Sequence, residues 1–109
     1  MSPYDISKKL AKSLKETNEY KVLIAKKSKV DQEPQLKGKI DSLEKTQLEV
    51  IKSDLSDEQK QKSINEIQKE FEKLSKVPQV AEFLKAGEDF NKIVEKTYKI
   101  IDEEINKEL

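Results

Sequence analysis

The sequence predicts an all-α fold of about four helices in a small bundle, with a long C-terminal helix and a tendency to self-associate. Three observations carry that expectation. Apolar residues recur at spacings of three and four along nearly the whole chain, the signature of amphipathic helices. Helix breakers are sparse, with glycine only at Gly38 and Gly87 and proline only at Pro3, Pro34 and Pro78, and they fall mostly between the periodic stretches. Ile, Leu, Val and Phe together supply 29 of 109 residues. That is enough for a thin core, lying above the roughly 20% below which chains stay disordered.

The elements follow in chain order. Ser2 is placed to cap a helix that has Pro3 at its first position, where a missing N–H costs nothing, and Ile6, Leu10 and Leu14 then share a face. The pattern predicts a first helix over about residues 3–28. Pro34 marks a second start, after which Leu36, Ile40, Leu43, Gln47 and Val50 repeat at alternating spacings of four and three, to an end near Ser53. Ser56 with Gln59 three residues later is a capping box. Asp57 and Glu58 fill the first turn, where the helix dipole favours acids. Ile64, Ile67, Phe71 and Leu74 line the helix that follows, over about residues 57–75. Pro78 opens the strongest pattern, from Gln79 to Glu108, in which Val80, Phe83, Leu84, Gly87, Phe90, Val94, Tyr98, Ile101 and Ile105 keep near-heptad spacing. A helix of that length spans roughly 45 Å, more than a 109-residue monomer easily covers. The chain reads as one domain, residues 1–109.

Composition removes whole classes of chemistry. There is no Cys and no His, so the chain has no thiolate nucleophile, no disulfide and no imidazole base or ligand. The acidic clusters Asp102, Glu103, Glu104 with Glu108, and Glu88 with Asp89, lack the His that carboxylate di-metal bundles add. No catalytic, metal or cofactor site is assigned. The 22 basic residues are all Lys, which removes the planar fork used for bidentate phosphate and base recognition. No apolar run approaches the roughly 20 residues of a membrane span and no signal-peptide pattern opens the chain, so a cytoplasmic, non-inserted protein is expected.

Net charge is zero overall, yet it is unevenly placed. Residues 1–33 hold eight Lys against five acids, and residues 77–109 hold five Lys against eight acids. Such ends suit pairing of the first and last helices, within a chain or across subunits. Two surfaces stand out as candidates for function. The apolar stripe Val80, Phe83, Leu84, Gly87, Phe90, Val94, Tyr98 and Ile101 reads as a surface shared between subunits, with Phe83, Leu84 and Phe90 as anchors. Lys8, Lys9, Lys12 and Lys15 on the first helix form a possible polyanion contact, although no aromatic residues interleave with them to stack bases.

The residues also resemble a known family. Tyr4-Asp5-Ile6, Leu10-Ala11, Ser13-Leu14 and Glu19-Tyr20 are similar to the N-terminal helix of the YlbF/YmcA family of small helical proteins from low-GC Gram-positive bacteria. Val77-Pro78-Gln79-Val80, Phe83-Leu84, Ala86-Gly87-Glu88, Phe90, Ile93-Val94, Ile100-Ile101 and Ile105 resemble its C-terminal helix in order and spacing. The resemblance implies a self-associating helical fold without enzymatic activity, and regulation of competence, biofilm formation or sporulation. It also implies possible partners: family paralogues and the endoribonuclease RNase Y, which some members direct to particular transcripts. Members of that complex have been associated with iron–sulfur clusters held by Cys. With no Cys, this chain is placed nearer the Cys-free, YheA-like members.

Overall fold

The computed structural model describes residues 1–109 and is helical throughout. It has five helices, α1 (Pro3–Lys15), α2 (Asn18–Asp31), α3 (Pro34–Lys52), α4 (Asp57–Leu74) and α5 (Pro78–Asn106). The long first helix expected over residues 3–28 is two helices. Glu16 caps the end of α1, its N–H bonding back to Leu14 and Ser13, and Thr17 starts α2 by accepting a hydrogen bond from the Tyr20 N–H. The Thr17 hydroxyl also donates to the Leu14 carbonyl at 2.7 Å, so one β-branched residue closes the first helix and opens the second.

The other starts lie where the residues place them. Ser2 with Asp5, and Ser56 with Gln59, form complete capping boxes in which side chain and backbone satisfy each other in both directions. Helices α3 and α5 have no side-chain cap, and each begins instead with proline. The ring removes one of the unbonded N–H groups and presets φ for the helix.

Helix α2 runs antiparallel to α5. Tyr20 meets Phe90 with ring centroids 5.2 Å apart, Lys26 bonds Glu82 at 3.1 Å, and Gln79 donates to Glu33 at 3.0 Å, so rising numbers on α2 meet falling numbers on α5. Helices α3 and α4 pack on each other as a hairpin that joins the pair through α2, whereas α1 meets α2 across the Thr17 break. Only six residues are buried. Val30, Ile40, Leu74 and Val80 form one cluster where α2, α3, α4 and α5 converge, and Leu36, Leu43, Val77, Phe83 and Leu84 lean on it. Ile67 is buried inside the α3/α4 hairpin, and Ala86 faces α2 from α5.

The shape is open rather than spherical. Its radius of gyration is 17.3 Å and its extents are 46 × 37 × 21 Å, against roughly 13 Å for a compact domain of about 100 residues. The long dimension corresponds to α5, whose 29 residues span roughly 44 Å. No helix is long and apolar enough to cross a membrane.

Because the one cluster joins four helices, truncating it should loosen all of them together. Leu74→Ala is expected to cost about 2–5 kcal/mol in urea unfolding. Leu48→Ala, on a 55% exposed side chain, should cost less than about 0.5 kcal/mol. Equal losses would contradict the placement of the core.

Candidate protein-interaction surface

The apolar stripe of α5 is divided along its length. At its start, Val80 is 0% exposed and belongs to the central cluster, so it has no surface to offer a second protein. Phe83 and Leu84 are half-buried against the same cluster. Phe90 is half-buried and tilted at 57° to Tyr20, an aromatic pair inside the chain. Val94 is also half-buried. Four residues further on the cover ends, with Tyr98 62% exposed and Ile101 41% exposed. The surface continues into Ile100 and Ile105, which are 50% and 64% exposed. Of the anchors expected from sequence, Phe83, Leu84 and Phe90 therefore hold the chain to itself, and the open part of the stripe lies beyond them.

Gly87 sits between the two halves. A Cβ built there would meet only the Leu23 Cδ1 at 3.9 Å, an ordinary contact, so nothing within the chain requires glycine at this position. It lines a shallow groove of about 520 Å³ whose walls are Leu23, Ile24, Phe83 and Leu84, with Lys27 and Glu44 at the rim. Lys27 is bonded to Asp31 at 2.9 Å. That hydrogen bond and the carboxylate's charge, with Asp41 and Glu44 adding attraction, hold the ammonium above its ordinary value of 10.5. The small stabilisation this gives is complete below that value and is lost as pH rises above it, so it concerns only alkaline conditions.

On α1 no residue is buried, although the helix is strongly two-faced. At 3.6 residues per turn, Lys8, Lys12 and Lys15 fall within about 60° of one another, with Lys9 about 60° to one side, while Ile6, Leu10 and Leu14 occupy the opposite face. All four Lys are exposed, and none takes part in any of the chain's ion pairs. The apolar face is only partly covered, Ile6 being 50% exposed. A second exposed apolar patch, absent from the sequence expectations, lies at the tip of the α3/α4 hairpin, where Leu48, Ile51 and Leu55 are 55%, 52% and 42% exposed. Their spacings of three and four, offset from the stripe through Ile40 and Leu43, were a legible signal for it.

The acidic residues lie apart from one another or in pairs with Lys. Asp102, Glu103 and Glu104 are exposed on the last turns of α5 and Glu108 is exposed just beyond it, and Glu104 is bonded to Lys107 at 2.7 Å. Asp89 is paired with Lys85 at 3.1 Å, and no three acidic side chains gather closely enough to hold an ion.

Two substitutions separate the halves of the stripe. Phe90→Ala should cost about 1.5–3 kcal/mol of stability, whereas Tyr98→Ala should change it by no more than about 0.5 kcal/mol. Denaturant midpoints of the two variants check this, and a large loss for Tyr98→Ala alone would reverse the division.

Known sequences place the chain. A UPF0342 protein of Caldicellulosiruptor bescii is 34% identical over 103 residues, covering 94% of this chain and 87% of that protein. A UPF0342 protein of Caldicellulosiruptor saccharolyticus is 32% identical over 104 residues, with the same coverage. No solved structure matches the chain. The family described as control of competence regulator ComK, YlbF/YmcA, matches residues 4–106, and the chain belongs to that family.

Proposed function

We propose that this chain is a non-enzymatic, cytoplasmic regulatory adaptor that acts by binding proteins, first of all a second copy of itself, through the open end of the α5 stripe. The observation that carries this is the distribution of exposed apolar side chains. Tyr98, Ile100, Ile101 and Ile105 lie together on one helix, and a contiguous apolar patch of this kind marks an interaction site more often than a solvated surface. Side-chain chemistry leans the same way, since neither His nor Cys is present to do acid–base or thiol work. The family's link to competence control supports a regulatory role. Within that role, control of competence, biofilm formation or sporulation through RNase Y-dependent RNA turnover is our proposal, with RNase Y and family paralogues as the partners to look for.

Ile101→Asp tests the self-association surface. The variant is expected to keep its helical circular dichroism and to scatter light as a monomer of 12.6 kDa, where the wild type gives a multiple of that mass. A variant oligomer of wild-type size would remove the end of α5 from the interface. Affinity capture of tagged protein from extract of its own organism, with and without ribonuclease, tests the partners. Recovery of RNase Y or a paralogue regardless of ribonuclease is the expected result, and recovery of neither would leave the adaptor role without a partner in RNA turnover.

One observation favours a second reading, direct RNA binding: the Lys8, Lys9, Lys12 and Lys15 face is exposed and outside the ion pairs. Phosphate contacts by four Lys would make affinity fall steeply with salt. Absence of binding to mixed RNA at about 50 mM salt, where such contacts are strong, would reject it.

A further inference from the structure

The groove beside Gly87 has the shape and the charge of a seat for a further helix. It lies between α2 and α5, with Ile24 on one wall, Leu84, Gly87 and Asn91 on the other, and Glu44 of α3 at its rim. Ile24 is 46% exposed, so the wall that α2 supplies is open. On α5 the lining residues belong to a longer register. Leu84, Gly87, Asn91 and Val94 follow one another at spacings of three, four and three, the edge against which a second helix packs. From Leu84 to Val94 that edge is roughly 15 Å long, about three turns. Gly87 is the weakest helix former on it, and neither backbone nor packing accounts for its presence: its φ is not positive, and a Cβ would stay 3.9 Å from Leu23. The effect of glycine there is to leave space over the middle of the groove.

The charges around the groove define the helix that fits it. Beside the edge stand Glu88 and Glu95, seven residues apart, both exposed and neither in an ion pair. These are the flanking positions whose charge selects a coiled-coil partner. Glu44, across the groove, is likewise unpaired, and the one lysine that lines it, Lys27, is bonded to Asp31 and lies in the field of Asp41 and Glu44. Lys92 and Lys99 stand one row further out on α5, four residues after the two acids, and pair with neither. The rim is therefore acidic on both sides, although the chain as a whole is neutral. A second copy does not supply the missing positive charge. Its α5 would set the same carboxylates against these, and on its most basic helix, α1, Lys8, Lys12 and Lys15 lie opposite the apolar row and so cannot flank the seam.

We propose that the groove between α2 and α5 is a docking site for a basic amphipathic helix of a different protein. Its aliphatic side chains lie along Leu84, Gly87, Asn91 and Val94, the longest of them over Gly87, and its Lys or Arg residues meet Glu88, Glu95 and Glu44. The site rests on the protein-binding role proposed above but not on self-association, whose surface begins beyond it at Tyr98.

The probe is a fluorescein-labelled helical peptide of about 14 residues, with Leu at heptad positions a and d, Lys at e and g and Ala elsewhere. Fluorescence anisotropy follows its binding near physiological salt, where only close charges act. One control peptide has Glu for every Lys, and another scrambles the Lys peptide so that no apolar face remains. The Lys peptide is expected to bind about tenfold or more tightly than either control, and Gly87→Leu, which fills the groove, and Glu88→Lys, which reverses its rim, should each weaken it about tenfold. Circular dichroism verifies the folding of both variants, and Glu88 is exposed, so its variant decides the matter if Gly87→Leu unfolds. Equal binding of the scrambled peptide would reduce the site to diffuse attraction, and wild-type affinity in the folded variants would seat the helix elsewhere. Either result, or no binding at all, overturns the proposal. Ile101→Asp separates it from self-association: at a position remote from the groove, the substitution should leave peptide affinity within about twofold. Loss of peptide binding together with the oligomer would show that a second copy builds the site, and would overturn it. A wild-type monomer that binds the peptide would instead reject self-association and leave the docking site standing.

Discussion

The antiparallel seam between α2 and α5 carries the fold. Val30 of α2 and Val80 of α5 are the two most completely buried side chains, at 2% and 0% exposure, and α3 and α4 reach the core only by adding Ile40 and Leu74 to them. The seam extends from there through Leu23 beside Gly87 to Tyr20 on Phe90, held at its other end by Glu33 with Gln79. With so few residues buried, the chain has no second core to fall back on. Its stability is therefore concentrated in one place, and burial of each of those aliphatic groups, worth roughly 1.5–3 kcal/mol, is a large part of the stability a small domain has.

A length mismatch in that seam shapes everything outside it. Helix α2 has 14 residues and α5 has 29, so α5 runs past its partner by roughly 20 Å. A continuous first helix would have covered the overhang. The Thr17 cap prevents this, leaving two residues between α1 and α2, so that the end of α5 remains exposed and the apolar face of α1 is only partly covered. The break at Thr17 thus sets α1 apart from the seam that α2 forms with α5.

Much of this architecture was legible in the residues. Pro34, the Ser56–Gln59 box and Pro78 mark helix starts by local chemistry that needs no tertiary context, and those starts agree with the structure. The break at Thr17 escaped notice because no Gly or Pro accompanies it. Thr17 followed by Asn18 and Glu19 is a cap with an acid in the first turn, a weaker signal set within an unbroken run of helix formers. The stripe on α5 shows a deeper limit. Heptad spacing from Val80 to Ile105 records that a face is apolar, and it is silent on what covers that face. Phe90 and Tyr98 look alike in the pattern, yet one is stacked on Tyr20 and the other is 62% exposed. Partner identity depends on where α2 stops, a property of two distant segments that no local window contains.

Charge placement then gives the open half a direction. The acidic end of α5 and the Lys-rich α1 sum to nearly nothing over the whole chain, so the protein has little net field to attract polyanions or membranes from a distance, while its two ends attract each other at short range. Association built on such ends adds burial that the monomer lacks. Because a species that binds only the folded state stabilises it by mass action, folding and assembly become linked on the proposed reading. The thin core and the exposed end of α5 are then one feature: the chain leaves apolar surface uncovered within itself, and a partner that covers it, as proposed, would add the burial the chain lacks.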